Sequence, residues 1–250
     1  MIMEYFANIN GIDIRAEFCD DTVRDLFVPL LKELSRMHSE KKSRILVMLA
    51  APPGAGKSTL VSFLEYLARG IIPDKTLQSI GMDGFHRRQE DLLSNTAIVN
   101  GEEIPLVRIK GAPITFDLAG LRIKIKELTE KSVCKWPRYD RLLHNPLEDA
   151  ITVDADIVLL EGNYLLLNEE GWRALSLFAD YTISISADEE LLRERLITRR
   201  MATGVNKEDA EAFVDFSDMA NVRLCLERSK GADLELEIAE NKAITRKSRT

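Results

Sequence analysis

The chain has 250 residues, 45% of them apolar and 30% charged, with 13 Gly and 8 Pro, which excludes disordered and fibrous classes and leaves enough apolar side chain for one large α/β domain or a main domain with a small appendage. Its 34 Lys and Arg against 41 Asp and Glu give a net charge of −7, which argues against a nucleic acid held by overall charge, so an anionic ligand must meet a local positive site. Cys19, Cys134 and Cys225 show no CxxC spacing, and the longest uncharged apolar run, Ile45 to Pro53, is too short to cross a bilayer; a reducing cytoplasm, no membrane and no secretory leader are expected.

Tyr5 to Phe18 carries apolar residues on either side of Asn10-Gly11, a dipeptide suited to a tight hairpin turn, and predicts a two-stranded appendage. Thr22 or Asp21 caps a helix in which Leu26, Leu30, Leu31 and Leu34 share a face. It ends in the polar run Ser39 to Arg44, the expected boundary between an amino-terminal hairpin and helix, residues 1–43, and a main domain, residues 44–250. His38, beside that run, is expected to be solvated. Beyond it, β-rich runs at Ile45 to Ala50, Leu77 to Met82, Ile157 to Leu160, Tyr181 to Ser186 and Leu234 to Ile238 alternate with helical patterns at Ser58 to Ala68, Leu118 to Thr129, Trp172 to Phe178, Asp188 to Arg200 and Lys207 to Asp218. That alternation predicts a mostly parallel five-stranded sheet flanked by helices. Arg87 to Pro113 reads as a loop-rich insertion over the carboxyl edge of the sheet, where an acceptor site could be built.

The first chemical motif is Ile45 to Ala51 followed by Pro52-Pro53-Gly54-Ala55-Gly56-Lys57-Ser58-Thr59 and an apolar-periodic helix. Gly54 and Gly56 let successive backbone N–H groups turn inward, and the helix amino terminus adds partial positive charge; both favour phosphate. Lys57 is expected to reach the β- and γ-phosphates and Ser58 to ligate Mg²⁺, so Gly54 through Thr59 form a nucleotide cradle and the fold is that of a P-loop NTPase. Ala51 stands where the GxxxxGK[ST] pattern has its first glycine, a small residue that fits the same space.

Four further segments narrow the chemistry. Met82-Asp83-Gly84-Phe85-His86 sets a carboxylate just past a strand at the sheet edge, where Asp83 can accept the proton of an attacking hydroxyl. Glu161, closing the apolar strand Ile157 to Leu160, is in position to hold Mg²⁺ or its water. Arg193, Arg195, Arg199 and Arg200 lie in a lid near residues 191–205; Arg195 and Arg199, one helical turn apart, can close on a transferring phosphate. Trp136 to His144 groups Tyr139, Asp140, Arg141 and His144 in what reads as a loop able to bind a polar acceptor. Asn206-Lys207-Glu208-Asp209 mimics a guanine-reading NKxD motif, but it follows no buried strand and no DxxG precedes it, so Asn206 is read as a helix cap.

At these motifs the chain resembles the P-loop kinases that include type I pantothenate kinase, uridine kinase and phosphoribulokinase, over roughly residues 44–250. Lys110-Gly111-Ala112-Pro113-Ile114-Thr115-Phe116-Asp117 is similar to the KGxPxSYD stretch of pantothenate kinase, and Pro137-x-Tyr139-Asp140 with His144 resembles the acceptor-side segment of uridine kinase. The phosphate loop, MDGFH, KGAPxTFD, YDRxxH and EGNYLLL together look closest to the bacterial YggC-type group of nucleoside/nucleotide kinases, also labelled fructose transport system kinases. The resemblance implies ATP and Mg²⁺, Asp83 as general base, Glu161 and Ser58 at the metal, and Arg195 and Arg199 in the lid. Phe85, His86, Lys110, Tyr139, Arg141 and His144 are the expected acceptor-side residues. The expected activity is transfer of the γ-phosphoryl group of ATP to a hydroxyl of a small metabolite such as pantothenate, a nucleoside or a sugar, with a homodimer left open. The competing reading is a nucleotide-dependent regulatory switch that binds a protein partner.

Overall fold

The computed structural model describes residues 2–9, 11–239 and 243–247. Strands β1 (Ile2–Ile9) and β2 (Ile12–Cys19) form an antiparallel hairpin, with Tyr5 opposite Ala16. Gly11 at its turn has φ +82, while Asn10, the other half of the expected turn dipeptide, lies outside the described residues. A continuous helix over residues 20–41, with a π turn at Val23–Phe27, follows and buries Leu26, Leu30, Leu31 and Leu34. His38 is not solvated as expected: its side chain keeps 15% exposure because the helix end packs its ring toward Asp156, Nε2 lying 3.5 Å from that carboxylate.

The central sheet has six strands in the order β12-β11-β10-β3-β9-β4, counting β3 (Ile45–Ala50), β4 (Leu77–Gly81), β9 (Ile157–Gly162), β10 (Tyr181–Ala187), β11 (Leu234–Ile238) and β12 (Ile244–Arg246). The first five are parallel and match the five predicted runs; β12 adds a short antiparallel edge. Every residue of β3 and β9 is buried, as a parallel strand covered on both faces requires. Alternate side chains of β3 serve the two layers: Ile45, Val47 and Leu49 join the residue 20–41 helix and the Lys57–Ile71 helix, whereas Leu46, Met48 and Ala50 join the Leu118–Glu130 helix and Trp136.

Four local expectations change. Trp172 to Phe178 is a set of turns ending in the 3₁₀ turn Leu175–Phe178 rather than an α-helix, with Trp172 and Leu175 buried in the core. The helix begun at Lys207 runs on through a π turn at Val214–Asp218 to Arg228. The insertion contains a helix, Gln89–Ser94, and a hairpin of β5 (Thr96–Val99) with β6 (Glu102–Pro105), held by a small core of Leu92, Ile104, Leu106 and Ile109. The segment read as a loop around Tyr139 is the hairpin of β7 (Cys134–Asp140) and β8 (Asn145–Val153). Among the described residues no helix is long and apolar enough to cross a membrane.

Candidate active site

The phosphate loop leaves β3 at its carboxyl end. Gly54 and Gly56 have φ of +84 and +80, in the left-handed region where glycine is unstrained, and Lys57 opens the helix that follows. The Glu189–Met201 helix, capped by Asp188 through the Glu190 and Leu191 amides, packs directly on this loop. A Cβ at Gly54 would stand 3.2 Å from both the Leu192 carbonyl and Leu196 Cγ, and Arg195 Nη1 donates to the Gly54 carbonyl at 3.4 Å. Glycine therefore lets the arginine-bearing helix lie against the cradle.

Ser58 Oγ donates to Glu161 Oε1 at 2.6 Å. The pairing of β4 with β9 sets Gly81 beside Glu161, and the 3₁₀ turn Met82–Phe85 then carries Asp83 to the same edge. The Trp136 indole holds this turn by donating to the Gly81 carbonyl at 2.8 Å. Ser58, Asp83, Glu161 and Tyr139 line one cavity of 210 Å³.

Electrostatics separate the two carboxylates. Burial works against the Asp83 charge, but His86, Lys57, Arg141 and Arg199 around it hold its pKa below the ordinary carboxylate value. Burial lowers His86 to about 4, so at neutral pH the ring is uncharged and the three cations sustain the Asp83 carboxylate. Glu161 moves the other way: burial raises its pKa and the Asp83 charge adds to that, against Lys57 and the Ser58 hydrogen bond. Arg199 is itself close to Asp83 and Asp218.

Of the other lid arginines, Arg193 pairs with Asp215, Nε to Oδ1 2.6 Å, and Arg200 stacks on Phe213 at 3.5 Å, so both turn to neighbouring structure. His86 stacks on Phe116, centroids 4.1 Å apart, with Tyr139 edge-on at 5.1 Å; its Nδ1 is buried without a hydrogen-bond partner. Lys110 Nζ lies 5.0 Å from the Tyr139 ring centre and donates to Gln89 Oε1 at 2.9 Å and to the His144 carbonyl at 3.3 Å. His144 thus meets Lys110 through its backbone, in a turn at φ +52, while its side chain is exposed. Phe85 is buried edge-on to Trp136 at 4.9 Å and supports the turn. Thr59 is half-buried in the first turn of the Lys57–Ile71 helix. Burial pushes the Tyr139 hydroxyl up to about 12, so it is a neutral donor at the cavity wall.

Sequence reasoning did not find Trp136 as the clamp on the Asp83 turn, nor Asn8 and Ile9 of the amino-terminal hairpin in the cavity wall. The aromatic residue within a motif-rich stretch was a signal for the first; nothing in the hairpin pattern signalled the second. Asn206 caps its helix, its Oδ1 accepting from the Asp209 amide at 2.9 Å.

A glycine-rich phosphate loop, an acidic strand end beside its serine and an arginine-bearing helix across it define a P-loop kinase. No family model matches the chain. YggC of Escherichia coli (strain K12) is 39% identical over 239 residues, covering 95% of this chain and 97% of that protein. A candidate uridine kinase of Schizosaccharomyces pombe is 30% identical over 203 residues, 78% of this chain and 84% of its own length. The crystal structure of a candidate fructose transport system kinase from Silicibacter sp. TM1040 superposes with a TM-score of 0.74 at 29% identity, covering 84% of this chain and 98% of that one. The chain belongs to the YggC family, and its relatives include proteins named as uridine kinase and pantothenate kinase; it is a phosphotransferase with an alcohol group as acceptor.

Proposed function

We propose that the protein transfers the γ-phosphoryl group of ATP to a hydroxyl of a small metabolite, with Asp83 as general base. The observation that carries the reading is the convergence of Ser58, Glu161 and Asp83 on one cavity, with Lys57, Arg141 and Arg199 close enough to keep Asp83 ionised. A hydroxyl touching a buried carboxylate is a hard-oxygen donor set of the kind Mg²⁺ takes, and a cation there would relieve the buried charge of Glu161. When bound, Mg²⁺ supplies charge neutralisation on the β- and γ-phosphate oxygens.

The chain's own residues do the rest. The backbone N–H groups from Gly54 to Thr59 and the helix amino terminus cradle phosphate, and Lys57 reaches its terminal oxygens. Arg195 and Arg199 offer planar guanidinium donors to charge that spreads over the transferring group. Asp83 accepts the acceptor's proton as the alcohol oxygen forms its bond to phosphorus and the bond from the γ-phosphorus to the bridging oxygen breaks, leaving ADP. His86, Lys110, Tyr139 and Arg141 form the acceptor side, with the His144 carbonyl holding Lys110 and Phe85 behind them; the phosphate-loop body spans residues 44–250, with its lid near 191–205. The relative named a candidate uridine kinase supports a nucleoside among the acceptors to be tried.

The test is ADP release by purified protein with pantothenate, nucleosides, hexoses and glycerate, run in parallel with Lys57→Ala. Release that depends on one alcohol and vanishes in Lys57→Ala is the expected result. ADP release indifferent to every alcohol would remove the kinase reading.

A further inference from the structure

The amino-terminal hairpin reaches the same cavity, and no motif assigns it a part there. Side chains alternate along a strand, so Tyr5, Ala7 and Ile9 of β1 share the face turned toward the Lys57–Ile71 helix. Tyr5 is buried with its hydroxyl 2.8 Å from Ser62 Oγ, Ala7 packs on the same core, and Ile9 is half-buried in the cavity wall. The lengths agree with this course. From Tyr5 to Ile9 the strand advances about 13 Å at roughly 3.3 Å per residue, whereas Ser62 back to Ser58 is one helical turn, about 6 Å. A strand anchored at Ser62 therefore runs past the first turn of the helix to the space beside Ser58.

The cavity is two-sided. Ser58, Asp83 and Glu161 make a polar side, and Ile9, Val61, Ile80, Pro137 and Ile151 supply apolar surface. At 210 Å³ it is smaller than the roughly 300–1,000 Å³ of drug-sized ligand sites. We propose that this cavity is the acceptor site, that Ile9 is one of its walls and limits acceptor size, and that the acceptor is a compact alcohol with an apolar stretch beside the reacting hydroxyl. The inference rests on the kinase reading and deepens it: the segment before the phosphate-loop strand selects what is phosphorylated.

Ile9→Trp fills the space beside Ser58, and Phe6→Trp, on the outward face of the same strand where Phe6 is 64% exposed, is the control. Full-length wild type and both variants are assayed for ADP release on the panel above, with KM measured for the acceptor that wild type uses and for ATP. Ile9→Trp raises the acceptor KM by about tenfold or more while the ATP KM stays within about twofold, and Phe6→Trp behaves as wild type. Should Ile9→Trp fail to fold by circular dichroism, Ile9→Ala takes its place; widening the pocket changes the ratio of kcat/KM for a longer over a shorter acceptor by about threefold or more. Wild-type turnover with acceptor kinetics unmoved in the Ile9 variant overturns this inference alone. A wild type that responds to no alcohol overturns the kinase reading and the inference together.

Discussion

Asp83 and His86 show how one buried corner gives neighbouring titratable groups opposite tasks. Three cations face Asp83, so it stays ionised and can take a proton, whereas His86, half-buried between Phe116 and Tyr139, stays neutral. Asp83→Asn keeps the size and the hydrogen-bonding capacity but removes the base; turnover should fall by about 10²- to 10⁴-fold with Mg-ATP affinity little changed, as read by kcat against nucleotide titration. Undiminished turnover would end its role as base. His86 makes a prediction about stability. Its pKa in the fold, about 4, lies below the unfolded value of 6.5, so the unfolded chain binds a proton first as pH falls and stability is lost between those two values. Asp83, Lys110 and Arg141 are the charged groups acting on the ring. At roughly 1.4 kcal/mol per pKa unit, wild type should lose about 2–3 kcal/mol through this group by a pH near 4.5. His86→Phe, which keeps the stack on Phe116, should lose that much less in urea melts at pH 7 and near 4.5. Parallel losses in the two proteins would mean that the ring is not held neutral.

At the scale of elements, one strand, β7, fixes the Asp83 turn from the far side by two contacts: Trp136 holds the Gly81 carbonyl, and Gly84 presses on the Pro137 backbone. A Cβ at Gly84 would lie 2.3 Å from the Pro137 carbonyl oxygen and 2.6 Å from its carbon, backbone atoms that cannot rotate away. Gly84→Ala must therefore push the β7–β8 hairpin off the turn. A loss of about 1–3 kcal/mol in stability is expected, with acceptor KM raised and nucleotide binding retained; unchanged stability and kinetics would show that the hairpin does not set the turn. This element was also the hardest to see in the sequence. Pro137 within a strand ordinarily argues against one, and here it sits where the register shifts between Trp136 and Arg138. The parallel strands were legible because burial on both faces leaves uninterrupted apolar runs, and the lid helix because its leucines keep helical spacing. Which arginines face the loop was only partly legible: spacing paired Arg195 with Arg199, but it could not show Asp215 and Phe213 drawing Arg193 and Arg200 away.

For the whole molecule the question is whether the first 43 residues form a separable unit. The polar run from Ser39 to Arg44 has the composition of a linker, and sequence offers no way to see which face of the following domain the leading helix covers. Contacts across that run are made by aromatic rings: Phe18 stacks on Phe63 with centroids 3.8 Å apart, while Phe27 and Tyr5 meet the same ring edge-on at 6.1 and 5.2 Å. Phe63 belongs to the phosphate-loop helix, and Tyr5, Phe18, Phe27, Val47 and Leu49 belong to one continuous core. Arg44 ties the junction down further, donating to the carbonyls of Leu128, Lys131 and Ala155 at 3.0, 2.7 and 3.0 Å. A core that runs through the junction should melt as one unit, because neither side buries its apolar face without the other. Phe18→Ala should then cost about 3–5 kcal/mol and lower the midpoint of a single unfolding transition, seen equally in near-ultraviolet circular dichroism and in the loss of Mg-ATP binding. A split into two transitions, with nucleotide binding surviving the first, would show instead that the hairpin and its helix fold and unfold independently of the phosphate loop.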